Sequence, residues 1–298
     1  EGIELGKKLG ADFLLAVGGG SVIDSCKAIA YGLAEPEHDV WELYAGQRKA
    51  KACFPVASVL TIAAAGSEMS NSCVITNTDT EEKRAYDDDL ARPKFAIMDP
   101  ELTMTLPDYQ TEAGCADIMM HTMERYFVNS GTMELTDALA EGLLRTVMAQ
   151  AVILRDDPKN YDARAEVMWA GSLSHNNLMG VGKVQDWATH MVGHEITAYT
   201  GMDHGATLAI VQPKVFHFNF EHKFEKLAQL GERVFGIVDA DKRKAAEMTI
   251  DRICKFYYEE MGIASSINQY FGKEYDKAWV EECYAKLNAA NVHFGEDA

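Results

Sequence analysis

Over the first hundred residues the apolar positions fall in short blocks separated by helical stretches. Residues 2–10 set Ile3, Leu5 and Leu9 at mixed helical spacing and end on Gly10, as helices do at a C-terminus. Phe13–Val17 is an apolar run without alternation, the pattern of a parallel strand covered on both faces. Gly18-Gly19-Gly20-Ser21 follows, and a helix is predicted from about Ser21 to Leu33. Two further buried strands are predicted at 55–61 (PVASVLT) and 95–98 (FAIM). Strand, helix and strand in this order imply a parallel sheet with crossover helices.

After Leu106-Pro107 the texture changes to long helical patterns with few β-branched runs; residues 133–154, for example, read as one helix ending before Asp156-Asp157-Pro158. The expected architecture is an α/β part over residues 1–107 and an all-helical part over 108–298, with no internal repeat. The chain opens inside what reads as a crossover helix, where such a sheet normally opens with a strand. The expectation is a sheet truncated at its start, with an unpaired edge and apolar surface beside the glycine loop, covered by a partner or prone to aggregate.

Composition narrows the classes of function. At 298 residues and 47% hydrophobic, the chain can bury a large core. A formal net charge of -18 argues against nucleic acid as a partner, because phosphates demand a basic face. No uninterrupted apolar stretch approaches the roughly 20 residues of a membrane helix, and no signal peptide pattern is visible. Six scattered cysteines without a C-x-x-C pair read as reduced thiols, which points to a cytoplasmic protein. Asp87-Asp88-Asp89 reads as a solvated loop.

Three glycines and a serine between a strand and a helix make a phosphate cradle, since glycines let the backbone approach an anion at a helix N-terminus. The spacing is not G-x-G-x-x-G. Ala63-Ala64-Ala65-Gly66-Ser67-Glu68 is a second small-residue loop at a strand end, suited to a ligand or to tight packing.

The helical half holds the stronger signal. Asp117-x-x-x-His121 and His190-x-x-x-His194 each place two polar groups on one helical face, and His204 follows after Gly201. Flanking residues are apolar or aromatic: Ile118, Met119, Met120, Trp187, Met191 and Val192. A bound cation removes the penalty of burying such groups unpaired, about 1–3 kcal/mol each. One Asp with three His suits Fe²⁺ or Zn²⁺ better than Ca²⁺ or Mg²⁺. Spacing leaves five candidates for about four positions. His38, His217, His222 and His293 read as exposed, and His175, on an apolar helix, as a hydrogen-bonded core residue.

The string LLAVGGGSVID (14–24), the GSE at 66–68, MDPELTMTLP (98–107), D-x-x-x-H (117–121) and QDWATHMVGHEITAYTGMDHG (185–205) resemble, in order, the iron-containing (group III) alcohol dehydrogenases, nearest the butanol dehydrogenase and broad-range aldehyde reductase branch. The resemblance implies a Rossmann-like N-terminal domain, a helical metal-binding domain and a dehydroquinate synthase-like fold with the active site in the cleft between them. It implies one Fe²⁺ or Zn²⁺ on Asp117, His121, His190 and His204. His194 is left beside the metal as the catalytic proton donor or relay. It further implies NADP or NAD held by Gly19, Gly20 and Ser21, with Thr61, Ser70, Lys83 and Leu102 lining the groove and Asp24 bracing the helix. Small aldehydes and primary alcohols would be the substrates, and a homodimer the assembly.

Two departures are visible. The family's threonine before Gly66 is Ala65 here, which removes one cofactor hydrogen bond of about 0.5–1.5 kcal/mol. Family members also carry further residues before the position of Glu1. Competing readings are a glycerol dehydrogenase or dehydroquinate synthase-like enzyme on the same fold, a hydrolase using a helical His/Asp metal site, and a non-catalytic remnant.

Overall fold

The computed structural model describes residues 1–80, 82–128, 133–275 and 277–289. His293 and the side chain of Cys283 lie outside the described residues; the other five cysteines are free thiols.

Helix α1 (Gly2–Leu9) stops at Gly10, whose φ of 64° needs no Cβ to be accommodated. Strand β1 (Leu14–Gly18) runs into α2 (Gly20–Ala34), and a short α3 (Trp41–Tyr44) leads to β2 (Val56–Leu60). A hairpin of β3 (Ser72–Asn77) and β4 (Glu82–Asp87) precedes the two-residue β5 (Ala96–Ile97). The parallel sheet has the order β1-β2-β5, in register from Leu14↔Val56 to Gly18↔Leu60 and at Ser58↔Ala96. The three strands sit where the apolar runs predicted them. The antiparallel hairpin was not expected.

After Pro107 the described residues form helices joined by loops, with no strand among them. The helices are α4 (Asp108–Tyr126), α5 (Glu134–Asp156), α6 (Tyr161–His175), α7 (Ala188–Thr200), α8 (His204–Phe218), α9 (Phe220–Leu230), α10 (Lys242–Lys255), α11 (Ile267–Phe271) and α12 (Ala278–Ala289). Asp108 in the first turn of α4 and Arg125 in its last complement the helix dipole. None of the helices is long and apolar enough to cross a membrane.

The largest core cluster lies in the helical half, around Ile118, Met119, Met123, Tyr126, Leu144, Val147, Ile250 and Phe256. A smaller cluster of Ala16, Ile23, Leu60 and Met168 joins the sheet to α6. Strand β1 departs from expectation: Ala16 is fully buried, but Leu15 and Val17 are 50% and 59% exposed, so only one face is covered. With Leu5, Leu9, Phe13, Phe95 and Ile97 they leave an apolar surface along α1, β1 and β5.

Candidate active site

One cavity of about 940 Å³ runs from the C-terminal ends of β1 and β2 to the facing helices α4, α7 and α8. Its sheet side is the glycine loop. Gly19 caps α2 in extended conformation, and Gly19, Gly20, Ser21 and Thr61 all line the cavity. Side chains here would collide: a Cβ on Gly19 would lie 2.1 Å from Ile62 Cγ2, and one on Gly20 2.9 Å from the Ala65 Cβ. Asp24 is a brace, as the resemblance implied. Its carboxylate accepts from Ser67 Oγ at 2.8 Å and from the Val74 N–H at 2.9 Å, clasping α2 to the next loop and to β3.

The hairpin closes another side, and it brings Lys83 and Arg84 to the cavity wall. Burial pushes the Lys83 ammonium pKa down, against the pull of Asp117 and Asp24. Of the two remaining groove residues from the sequence, Ser70 is buried and hydrogen-bonds to Ser72, while Leu102 is 40% exposed on a 3-10 turn. Neither is among the residues lining the cavity.

On the opposite wall α4 presents Asp117 and His121 one turn apart, both buried. His121 Nδ1 lies 3.5 Å and His190 Nε2 3.6 Å from Asp117 Oδ1. One ligand atom from each of these three residues lies within 4.8 Å of the others. His204, the first residue of α8, adds its ring 5.3 Å from that of His190, just outside the trio. The His194 ring is 5.1 Å from His204 and 6.1 Å from His190.

Four atoms here are buried without a hydrogen-bond partner: Asp117 Oδ1, His121 Nδ1, His190 Nε2 and His204 Nδ1. Leaving four such groups unsatisfied costs on the order of 4–12 kcal/mol. A divalent cation shared among them fits the set, because each atom offers a lone pair once His190 gives up its extra proton, and one is anionic. The electrostatics agree. Burial opposes ionisation of Asp117, but the histidines His121 and His190 together with Lys83 hold its carboxyl below the usual range. Burial holds the His121, His194 and His204 imidazoles well below the usual histidine range, in the neutral form a metal ligand or proton acceptor needs. His190 is the exception: Glu124 and Asp117 outweigh its burial and raise it to about 9.

The sequence reading missed Glu124, which stands behind His190 and off the cavity wall, and Arg125 on that wall, and it did not place His175 there. Glu124 contacts His190 through both carboxylate oxygens. Arg125 lies 4.5 Å over the Trp187 ring and reaches His175 Nδ1 at 3.3 Å. His175 thus has its hydrogen bond, but it faces the cavity, its ring 4.1 Å from that of His121. The signal for Glu124 was available: it lies seven residues after Asp117, on the same helical face. His38, His217 and His222 are exposed, as expected.

A glycine cradle on a parallel sheet, facing an Asp/His cluster on helices across one cavity, is the layout of a nucleotide-using oxidoreductase with a metal centre. Sequence comparison agrees. The description "Iron-containing alcohol dehydrogenase" matches residues 1–100, and "Fe-containing alcohol dehydrogenase family, C-terminal" matches 111–292. The chain is 39% identical over 270 residues to the NADPH-dependent aldehyde reductase YqhD of Escherichia coli, covering 90% of this chain and 70% of that protein. It is 40% identical over 273 residues to NADH-dependent butanol dehydrogenase B of Clostridium acetobutylicum, covering 90% and 69%. The crystal structure of E. coli K-12 YqhD superposes with a TM-score of 0.93 at 37% identity, covering 98% of this chain and 75% of that one. The chain belongs to the iron-containing alcohol dehydrogenase family.

Proposed function

We propose that the protein is an NAD(P)H- and metal-dependent reductase of small aldehydes, working also in the alcohol direction. The observation that carries this reading is the set of four partnerless buried donor atoms facing a glycine-lined groove across one cavity. In this reading Asp117, His121, His190 and His204 hold one divalent metal, Fe²⁺ or Zn²⁺. Gly19, Gly20 and Ser21 take the pyrophosphate of NAD or NADP, with Thr61 and Lys83 along the groove. When bound, the metal supplies Lewis acidity at the carbonyl oxygen and the nicotinamide supplies the hydride.

The chain's own residues do the rest. Backbone N–H groups at the start of α2 meet the phosphates with a favourable helix dipole. The Lys83 ammonium adds a cation to that wall. His194, close to His190 and His204 and neutral in its buried setting, relays a proton: one ring nitrogen gives its hydrogen to the product oxygen while the other takes one up, and the alcohol direction runs the relay backward. The balance is aldehyde, NAD(P)H and a proton giving alcohol and NAD(P)⁺. We place the division of labour near Pro107, with residues 1–107 binding the nucleotide and 108–298 the metal.

The test is turnover of butanal with NADPH or NADH by metal-loaded protein, followed at the nicotinamide absorbance. Oxidation of the cofactor that needs both metal and aldehyde supports the reading. No turnover with any pairing of Fe²⁺ or Zn²⁺ with either cofactor would overturn it.

A further inference from the structure

We propose that Glu124 is a positioning residue that fixes the tautomer and aim of His190, and that this role requires a carboxylate. The inference rests on reading Asp117, His121 and His190 as metal donors, and it concerns a residue outside that set.

His190 turns two N–H groups on the same side chain. Its backbone N–H donates to Glu124 Oε1 at 3.1 Å, and its Nδ1 is in contact with Glu124 Oε2. An ionised carboxylate only accepts, so the proton on this side of the ring sits on Nδ1. In the neutral ring, the form a metal takes, the lone pair is then left on Nε2, the atom that faces Asp117 Oδ1 and has no partner. The opposite tautomer would set a nitrogen lone pair against a carboxylate oxygen and leave an N–H aimed into the donor cluster. Glu124 therefore decides which nitrogen is offered.

Placement supports the assignment. Glu124 stands on α4 three residues after His121 and seven after Asp117, so one rigid helix carries two donors and the group that aims a third. Its main-chain oxygen accepts from the Asp186 N–H at 3.1 Å, just ahead of the α7 helix that bears His190. Behind the carboxylate is a small cavity of about 20 Å³, lined also by Asp186, Thr189, Gln212 and Lys223. Lys223 Nζ lies 3.1 Å from Asp186 Oδ2 and donates to Phe127 O at 2.8 Å. Glu124 itself is 5% exposed.

The need for a carboxylate follows from counting acceptors. His190 presents two donors, and a carboxylate meets both. The amide of glutamine has one oxygen and one NH₂, so one N–H of His190 would face another donor. Aspartate keeps two acceptors on a shorter stem. Partners of this kind typically change metal affinity 10–100-fold.

Co²⁺ alone serves as the probe, added to the metal-free full chain. Its visible absorption reports the donor set, and competition with a chelator reports affinity. The wild type is expected to bind one Co²⁺ per chain. Glu124→Gln and Glu124→Ala are expected to bind about 10–100-fold more weakly with an altered band, and to melt below the wild type when metal-free, since each removes a partner of the buried His190. Glu124→Asp should recover part of the affinity. Wild-type affinity and band in Glu124→Gln would overturn the proposal. Failure of the wild type itself to bind Co²⁺ would instead remove the metal reading. ¹⁵N NMR of the unmodified protein, read above the His190 pKa, needs no variant: the neutral ring is expected to keep its proton on Nδ1, and a neutral ring protonated only at Nε2 would overturn the role of Glu124 whether or not metal binds.

Discussion

Arg84 Nη1 donates to Glu195 Oε1 at 2.7 Å, bolting the β3–β4 hairpin to the helix that carries His190 and His194. Glu195 is buried and Arg84 partly so, and a second guanidinium nitrogen reaches Glu82 at 3.0 Å. Arg84→Ala leaves the Glu195 carboxylate without this partner, at about 1–3 kcal/mol for an unsatisfied group. The hairpin also holds Lys83 at the groove, so the KM for the nicotinamide cofactor should rise several-fold while kcat changes less. Steady-state kinetics and a thermal melt check both. An unchanged KM would show that the hairpin docks without the bridge.

His190→Ala should lose the metal, and His194→Ala should keep most of it while losing turnover. The reason is geometric: His190 Nε2 is one of the four partnerless buried atoms, whereas no nitrogen of His194 is among them. Elemental analysis after gentle purification should find about one metal per chain in the wild type and in His194→Ala. Equal metal loss in both variants would place His194 among the ligands.

Acid should destabilise the metal-free protein. Burial lowers the His121, His175, His194 and His204 pKa values well below 6.5, so the unfolded chain takes up protons that the folded state refuses. The stability tied to these four groups is fully present above pH 6.5 and is lost as pH falls from there toward their folded values. His190 runs the other way: raised to about 9, its contribution is present below 6.5 and is lost as pH rises through 9. Metal-free melting temperatures should therefore fall on both sides of neutrality. His175→Asn should flatten the acid limb, and an acid limb unchanged by that substitution would count against a neutral, half-buried His175.

Gly205→Ala should unseat α8 from α4. A Cβ at Gly205 would lie 1.9 Å from Ala113 O, a backbone atom that cannot swing aside, and His204 immediately precedes it. Overpacking of this kind costs about 1–3 kcal/mol, and the move should weaken metal binding as well. Gly142→Ala is the control. The nearest heavy atom to its Cβ is 3.9 Å away, and Gly142 lies inside α5, so about 0.5–1 kcal/mol of stabilisation is expected. Melting curves of the two variants should move in opposite directions.

The sequence was most legible where one period governs the contacts. Asp117 and His121, or His190 and His194, share a helical face whatever the rest of the chain does, and β1 and β2 announced themselves as apolar blocks. The hairpin was not recognised because its second strand opens Glu82-Lys83-Arg84, a polar run without the apolar alternation that marks a strand. Glu124 shares the Asp117 face at a spacing of seven, but its partner His190 is 66 residues away, and no local period reports that meeting. Spacing left five candidates for four places. The hydrogen-bond inventory narrows them, since it asks which buried atoms lack a partner.

The bare row along α1, β1 and β5 has a colloidal consequence. Leu5, Leu9, Phe13, Leu15, Val17, Phe95 and Ile97 offer a sticky face, while a formal charge of -18 keeps like molecules apart. The repulsion reaches only as far as its ionic atmosphere, about 30 Å at 0.01 M salt and 3 Å at 1 M, whereas the apolar attraction needs no such range. Light scattering of this chain should therefore stay low in dilute buffer and climb as salt is added, the reverse of association driven by charge pairing.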